Sequence, residues 1–281
     1  MRIDIHAHSS ASDGTELPAD LIRSAAAAGL DVVALTDHDT TSGWAAAVEA
    51  LPAGLTLVRG AEISCEIDGV SMHLLAYLFD PSHEGLAEEM GMAFDDRTPR
   101  AKAIIAKLAD AGYPVVWQDV LDLLEPGATV GRPHIADVLV AKGVVPDRNT
   151  AFTQLLHNDG PFFVDHYYVD PVKAVQLVRA AGGVPVFAHP AASHRGRTVD
   201  DGVITKLADA GLAGIEVDHR DNPPEARVRL REIAAELGLL VTGASDYHGS
   251  GKPNLLGENT TDPEVFAALV EQATGVDVVT A

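Results

Sequence analysis

Histidines and carboxylates occur together in three short clusters of this 281-residue chain. The clusters are H-A-H at residues 6–8, D-H-D at 37–39 and D-Y-H at 246–248, and each follows an apolar stretch. Side chains at positions i and i+2 of a strand share one face, so the H-x-H and D-x-H spacings direct two donors toward one point. Imidazole and carboxylate groups without a thiolate favour Zn, Mn or Fe over a structural cysteine-rich zinc site.

Four further candidates stand alone in the sequence. Asp13 precedes Gly14 and by itself is typical of a turn. Glu62 lies within an apolar stretch, where a bare charge is costly and must be paired, protonated or coordinated. His73 has apolar neighbours and would fit an ordinary core histidine, and His189 ends another apolar stretch. The nine candidate metal ligands are therefore His6, His8, Asp13, His38, Glu62, His73, His189, Asp246 and His248.

Predicted strands and helices alternate on both sides of the chain's middle. The predicted strands are 2–6, 31–39, 56–64, 71–79, 183–190, 213–219 and 239–248. Helices are predicted at 17–28, 42–50, 171–181, 200–210 and 224–237. This alternation predicts an α/β protein with a parallel sheet, open or closed into a barrel, in which the carboxyl ends of the strands converge.

The number of donors predicts the number of ions. One ion takes three or four protein ligands, so nine donors predict two or three divalent ions. Sites with several such ions commonly hydrolyse phosphate esters or amides.

The block from residue 95 to 168 interrupts this alternation with successive amphipathic helices. We expect a small inserted helical subdomain there, and a catalytic barrel built from 1–94 and 169–281.

The composition of the chain indicates which classes of binding partner and which cellular location to expect. The formal net charge of −21 disfavours binding of long duplex nucleic acid, which requires many Lys and Arg side chains. The excess carboxylates indicate bound cations or simply a soluble surface. The sequence has no apolar run long enough for a membrane span and no apolar leader, and its one cysteine, Cys65, cannot form an internal disulfide. We expect a cytoplasmic protein without membrane contacts, and the sequence leaves the oligomeric state open.

The clusters together resemble the motifs of the PHP (polymerase and histidinol phosphatase) family. The matching segments are H-A-H-S-x-x-S-D-G, T-D-H-D, G-x-E-I-S, A-H-P and S-D-x-H-G, in the expected order between residues 6 and 249. The resemblance implies a distorted (βα)7 barrel with a trinuclear metal centre. It implies one ion on His6, His8, Glu62 and Asp246. It implies a second ion that shares Glu62 and adds His73 and His189, and a third on Asp13, His38 and His248.

The segment G-R-P-H at 131–134 is similar to one branch of that family. Members of the branch resemble nucleoside 3′,5′-bisphosphate phosphatases, some of which also act as 5′-to-3′ exonucleases on short RNA. We therefore expect a small phosphorylated substrate, with Mn²⁺ ahead of Fe²⁺, Zn²⁺ or Mg²⁺. Another small-molecule phosphatase of the histidinol-phosphate type, an amide-bond hydrolase and a non-catalytic module are the alternatives.

The sequence departs from the family after the A-H-P motif, where A-A-S-H-R-G-R replaces the expected G-R-Y. This change alters the loop that carries His194, Arg195 and Arg197. His194 or His219 is the candidate general acid that protonates the leaving oxygen. Guanidinium groups suit a second phosphate. The candidate substrate-binding residues are Arg132, His134, Arg195, Arg197, Arg97 and Arg100, the last two of which would also fit a solvated helix face.

Overall fold

The computed structural model describes residues 1–124, 128–158, 160–193 and 196–281. The strands are β1 (Ile3–Asp4), β2 (Val32–Leu35), β3 (Thr56–Ile67), β4 (Val70–Tyr77), β5 (Val184–Phe187), β6 (Gly214–Asp218), β7 (Leu240–Gly243) and β8 (Val279–Thr280). The α-helices are α1 (Pro18–Ala27), α2 (Trp44–Glu49), α3 (Glu84–Asp110), α4 (Trp117–Leu121), α5 (Arg132–Ala141), α6 (Arg148–Ala151), α7 (Pro171–Ala180), α8 (Asp201–Ala210), α9 (Pro224–Leu237) and α10 (Pro263–Glu271). A π-helical turn at Phe152–Leu156 continues α6, and Gly249–Gly251 form a 3₁₀ turn.

The sheet is a nearly closed barrel whose strands follow one another in chain order from β1 to β7. The pairs β1–β2, β2–β3, β5–β6 and β6–β7 are parallel. An isolated parallel bridge between Ala7 and Tyr247 links the segments that follow the first and last strands, and β8 adds to the edge of β3. The prediction of a distorted seven-stranded α/β barrel is confirmed.

Strand β4 breaks the predicted parallel order, because it runs antiparallel to both β3 and β5. A two-residue turn, Asp68-Gly69, joins β3 to β4 with φ angles of 51° and 70°. An Asp-Gly pair with positive φ at both positions is typical of a tight hairpin turn, so this signal was present in the sequence. As a result His73 lies within β4, opposite Ser64 of β3, and not at a strand's carboxyl end.

Two apolar clusters cover the two faces of the barrel sheet. The larger cluster joins one face to helices α1, α2, α7, α8 and α9. The second gathers the opposite face, including Ile3, Ile5, Leu75 and Tyr77, together with Phe266 and Leu269 of α10. Because successive strand residues face opposite ways, both faces can be apolar and the strands read as nearly continuous hydrophobic runs.

A third apolar cluster belongs to the helices of the middle of the chain and runs from Ala101 to Leu156. Helix α3 is continuous from Glu84 to Asp110 and therefore crosses the predicted boundary at residue 95. The separate core is compatible with an inserted subdomain, and the division of the chain at 94/95 and 168/169 stays a prediction. Within the described ranges, no helix is both long and apolar enough to cross a bilayer.

Candidate metal centre

Glu62 of β3 lies at the centre of the candidate ligands. Its Oε2 is 3.4 Å from His6 Nε2, 3.0 Å from His8 Nε2 and 3.3 Å from His38 Nδ1. The side chain of Glu62 is only 1% exposed, so this carboxylate is buried among imidazoles. One oxygen that faces three imidazoles is the arrangement expected of a carboxylate shared between cations.

The other oxygen of Glu62, Oε1, faces two further histidines, His73 and His189. Oε1 is 2.8 Å from His73 Nδ1 and 3.0 Å from His189 Nε2. The antiparallel pairing of β4 with β3 brings His73 to Glu62, although His73 is not at a strand end. Both oxygens of Glu62 therefore have imidazole neighbours.

Two aspartates complete the cluster. Asp246 Oδ1 lies 3.5 Å from His6 Nε2 and 3.3 Å from His8 Nε2. Asp13 Oδ1 lies 3.2 Å from His248 Nε2 and 3.6 Å from His8 Nδ1. Asp13 Oδ2 is also 3.8 Å from His38 Nε2, so all nine candidate residues lie in one connected cluster.

The described residues form four donor sets in which all ligand atoms lie within 4.8 Å of one another, and three of them consist of candidate ligands alone. The first is His6, His8, Glu62 and Asp246, the same four residues that the family resemblance implies for one ion. The second is His38, Glu62 and His73, and the third is His8, Asp13, His38 and His248. The third set adds His8 to the implied trio, and the second contains His38 where the resemblance implies His189.

The residues fit divalent cations because several of their buried atoms have no other partner. Within the described part of the chain, the buried atoms without a hydrogen-bond partner include Asp13 Oδ1, His38 Nδ1, Glu62 Oε2, His73 Nδ1 and His248 Nε2. Buried polar groups are normally hydrogen-bonded, since an unpaired one is costly. A cation bound among these atoms would satisfy them.

The electrostatics of the cluster point the same way. Burial opposes protonation of His6, but Glu216 and Glu62 outweigh it and raise the pKa of His6 well above its ordinary value. Burial likewise opposes protonation of His8, yet its bonds to Asp246 and Glu62 raise its pKa to about 9. Burial instead lowers the pKa of His38 well below its ordinary value and that of His248 to about 4. The carboxylates therefore create a negative potential around His6 and His8 that attracts positive charge, whether protons or divalent ions.

Backbone strain is concentrated where the strands turn into this cluster. Asp39, His189 and Asp246 have positive φ angles of 52°, 30° and 53°. Residues other than glycine rarely adopt this conformation, and when they do, they often lie at functional sites. The strain indicates that these three positions are constrained by the site.

Sequence reasoning missed Glu216, which is fully buried in β6 behind the cluster. Its Oε1 lies 2.9 Å from His6 Nδ1, and its Oε2 accepts a 2.9 Å hydrogen bond from the backbone N–H of His189. A carboxylate that accepts the Nδ1–H of a histidine leaves Nε2 free to bind a metal ion. The signal was the same as for Glu62: a glutamate within an apolar strand, here G-I-E-V-D.

The aspartates on either side of His38 hold the surrounding loops. Asp37 accepts hydrogen bonds from the N–H and Oγ of Ser9, at 2.8 and 2.7 Å, and from Ser12 Oγ at 2.6 Å. Asp39 accepts from the N–H and Oγ of Ser64 at 2.8 and 2.9 Å. These bonds fix the loop that follows His8 and the strand that carries Glu62, so both aspartates position ligands.

A cavity of about 660 Å³ opens beside the cluster and is lined by Asp13, His38, His73 and His189 on one side. The arginines at 97, 100, 132 and 197 also line it. Cavities of this size bind small organic ligands. Four of the nine candidate ligands and four of the six candidate substrate-binding residues therefore line one cavity.

These arginines differ in their hydrogen-bond and ion-pair partners within the protein. Arg97 is paired with Asp39 at 2.5 Å, and Arg197 donates to the carbonyl of Gly69 at 2.6 Å. Arg132 Nη1 donates to the carbonyl of Leu156 and to Asn158 Oδ1, at 2.9 and 2.6 Å. None of these contacts of Arg132 neutralises its charge.

Arg100 carries an unsatisfied donor. It is 8% exposed, and its Nε donates to the carbonyl of Val164 at 2.8 Å. Its Nη2 is buried without a hydrogen-bond partner among the described residues. Burial and then the charge of Arg132 lower the pKa of Arg100 to about 10, which marks a cationic region.

Two candidate residues, the substrate-binding candidate His134 and the general-acid candidate His219, do not line the cavity. His134 is buried at the start of α5, where its Nδ1 accepts a 3.0 Å bond from Gly131 N–H, and it is not part of the cavity wall. His219 is fully buried with its Nε2 3.5 Å from Asp246 Oδ2, and it too is not part of the wall. His194 and Arg195 lie outside the described residues.

Lys252 is a cation of the cavity wall that sequence reasoning missed. Its Nζ lies 2.9 Å from Asp246 Oδ2. His219 also joins Asp221 and Asp246 in a further donor set. Asp246 is therefore approached by imidazoles and by an ammonium group.

Comparisons with known proteins identify the family. A model of the PHP domain matches residues 4–114. A 3′,5′-nucleoside bisphosphate phosphatase from Chromobacterium violaceum is 32% identical over 251 residues, 89% of this chain and 88% of that protein. A 5′-3′ exoribonuclease from Haemophilus influenzae is 32% identical over 248 residues, 88% of this chain and 90% of that protein. A phosphoribosyl 1,2-cyclic phosphate 1,2-diphosphodiesterase from Eggerthella lenta is 31% identical over 250 residues, 88% of this chain and 94% of that protein.

A solved structure is similar over nearly the whole chain. It is a candidate metal-dependent phosphoesterase from Bifidobacterium adolescentis, with a TM-score of 0.92, 41% identity and coverage of 96% of both chains. The similarity thus extends over nearly the whole length of both chains. The chain belongs to the PHP family of metal-dependent phosphoesterases.

Proposed function

We propose that this phosphoesterase hydrolyses a phosphate monoester, namely the 3′-phosphate of a nucleoside 3′,5′-bisphosphate. One observation carries the proposal: metal donors of the cluster line the same cavity as Arg100 and Arg132, which have no carboxylate partner among the described residues. A bisphosphate has one phosphate for each of these two regions. Short 5′-phosphorylated oligonucleotides are a second substrate class, because a relative of equal identity is named an exoribonuclease.

The nine donors would hold two or three divalent ions, with manganese as our first choice. His6, His8, Glu62 and Asp246 form a set of four donors that are all buried. Bound ions would lower the pKa of a water molecule toward neutrality and act as Lewis acids on the phosphoryl oxygens. The chain's part is to hold the donors in place, and Glu216 and the aspartates beside His38 support them.

The second phosphate would lie against Arg100 and Arg132. Nη2 of Arg100 lacks a partner, and both contacts of Arg132 are to neutral oxygens. Planar guanidinium groups bind phosphate oxygens bidentately. Arg97 is less suited, since Asp39 already neutralises it. Both favoured arginines come from α3 and α5, which supports a role of the helical insert in substrate binding.

His219 is better suited to positioning Asp246 than to donating a proton. Its imidazole is fully buried, and the N–H of Asp221 donates to its Nδ1 at 3.0 Å, so a neutral ring carries its proton on Nε2 toward Asp246. His194 therefore stays our candidate for protonation of the leaving oxygen, outside the described residues.

A phosphate-release assay with Mn-loaded protein tests the proposal. The substrates are adenosine 3′,5′-bisphosphate, 5′-phosphorylated RNA dinucleotide, histidinol phosphate and p-nitrophenyl phosphate, with an amide substrate as a further arm. We expect the highest kcat/KM for the bisphosphate. A higher kcat/KM for histidinol phosphate, or hydrolysis of the amide alone, would contradict the assignment, and no turnover at all would favour a non-catalytic module.

The variant Arg132→Ala tests the second phosphate site. Loss of a hydrogen-bonded charge pair of about 1.5–3 kcal/mol corresponds to a KM for the bisphosphate raised roughly 10- to 100-fold. KM for p-nitrophenyl phosphate, which has a single phosphate, should change little. Arg229→Ala, which removes an exposed partner of Asp201, is the matched control. An equal loss on both substrates would refute the phosphate-binding role of Arg132.

A further inference from the structure

The segment that returns from the helical insert to the barrel runs beside β3 in an extended conformation. Val169 N–H donates to the carbonyl of Ser64 at 3.1 Å, and Glu66 N–H donates to the carbonyl of Val169 at 3.2 Å. Side chains of an extended segment alternate between two faces. Residues 166 and 168 therefore share one face, and residues 167 and 169 share the other.

The second face is anchored in the protein. Val169 is 1% exposed and belongs to the barrel's larger apolar cluster. Tyr167 donates its hydroxyl to Glu89 Oε2 at 2.5 Å and its N–H to Asp96 Oδ2 at 2.6 Å. These contacts fix the backbone, so the side chains of the first face are held in a defined position.

The first face presents two aromatic rings to the cavity. His166 and Tyr168 line the cavity wall, and their rings stack with centroids 3.9 Å apart and planes 28° apart. Burial, followed by the charges of Arg100 and Arg97, lowers the pKa of His166 to about 3. The imidazole is therefore neutral at neutral pH, and the pair lies beside the cationic region of the cavity.

We propose that the stacked rings of His166 and Tyr168 form the surface on which the nucleobase of the substrate stacks. The proposal rests on the proposed function, because it requires a nucleotide in this cavity. A phosphate bound to Arg100 or Arg132 gains nothing from a neutral aromatic face, whereas every base has a π-face that stacks on one. The charges of Arg100 and Arg132 act on His166, so the rings lie near the arginines that would bind the 5′-phosphate and within reach of the base of the same nucleotide.

Calorimetric binding of adenosine 5′-monophosphate and ribose 5-phosphate to the metal-loaded protein tests this surface. The two probes share the 5′-phosphorylated sugar and differ by the base. We expect wild type to bind the nucleotide about tenfold more tightly, and Tyr168→Leu, which keeps apolar bulk but removes the ring, to lose about tenfold for the nucleotide only. His166→Ala provides a second variant, and Tyr167→Phe, on the opposite face, is the matched control with unchanged selectivity.

The outcomes separate this proposal from the proposed function. Equal affinity of wild type for both probes, or an equal loss for both probes in Tyr168→Leu, would refute base stacking even if the bisphosphate is hydrolysed. Base-dependent binding that Tyr168→Leu and His166→Ala abolish would support it. If that result occurs without phosphate release from adenosine 3′,5′-bisphosphate, the reaction assignment is wrong and the nucleobase surface stands.

Discussion

Replacing Glu216 by glutamine is expected to weaken metal binding while keeping the volume of the side chain. Glu216 uses one oxygen for His6 Nδ1 and the other for the N–H of His189. Glutamine offers one carbonyl oxygen and one NH₂ group. Its NH₂ group must therefore face one of two N–H donors, and one of the two hydrogen bonds is lost.

The loss of one hydrogen bond at residue 216 sets the expected change in Mn²⁺ affinity. A hydrogen bond to a charged group contributes about 1.5–3 kcal/mol, which corresponds to roughly a 10- to 100-fold change in an equilibrium constant. Loss of a carboxylate behind a metal-bound histidine costs about the same factor in metal affinity. We therefore expect Glu216→Gln to raise the Kd for Mn²⁺ about 10- to 100-fold, because His6 is no longer held with Nε2 toward Glu62.

Isothermal titration of metal-free protein with Mn²⁺, together with elemental analysis of the purified variant, measures this loss. Glu89→Gln is the matched control, since Glu89 is also a buried carboxylate but bonds Tyr167 and Lys173 away from the cluster. Glu89→Gln should lower stability without changing the Kd. Wild-type metal content and Kd in Glu216→Gln would refute the positioning role, and so would an equal change in both variants.

Three further predictions concern metal removal, the cysteine and the insert. Chelation should abolish phosphate release and lower the Tm, because ions that bind only the folded state stabilise it, and added Mn²⁺ should restore both. A metal-free protein with unchanged Tm would contradict this. Cys65 is fully buried, and burial raises the pKa of its thiol well above the ordinary value. A thiol reagent should therefore label Cys65 only at the rate at which the protein unfolds. Rapid labelling of the native protein would contradict this. Ile135→Ala in the insert core and Leu207→Ala in the larger apolar cluster should each lower the free energy of unfolding in urea by about 2–5 kcal/mol. If the insert is a separate folding unit, only Ile135→Ala should shift an early unfolding transition. Identical single transitions for the two variants would argue for one cooperative unit.

The barrel and the gathering of the nine donors could be predicted because strand periodicity and strand ends are local features of the sequence. His6, His38 and Asp246 each follow an apolar run, and convergence of strand ends is a property of the fold class. The sequence offered no geometric reason for His73, which by itself also fits an ordinary core histidine. It reaches Glu62 through antiparallel pairing across the Asp68-Gly69 turn, not from a strand end.

The remaining residues could not be assigned from spacing, because their roles depend on which neighbour the fold supplies. His134 follows Arg132 by two positions, yet it caps its own helix while Arg132 lines the cavity. Arg97 and Arg100 lie on one helix, but only Arg97 meets a carboxylate. The aromatic pair at 166 and 168 gives no signal in the sequence until the extended segment beside β3 determines which side chains face the cavity.

The buried charges also link the fold to the function. Glu62, Asp246 and Glu216 are each at most 1% exposed in the barrel, where uncompensated carboxylates would destabilise the folded state. The imidazoles around them compensate this charge only when protonated, and protonated imidazoles cannot bind metal ions. Bound cations resolve the conflict, since they neutralise the carboxylates and leave the imidazoles neutral. If divalent ions occupy the cluster, part of the net charge of −21 is their counterpart.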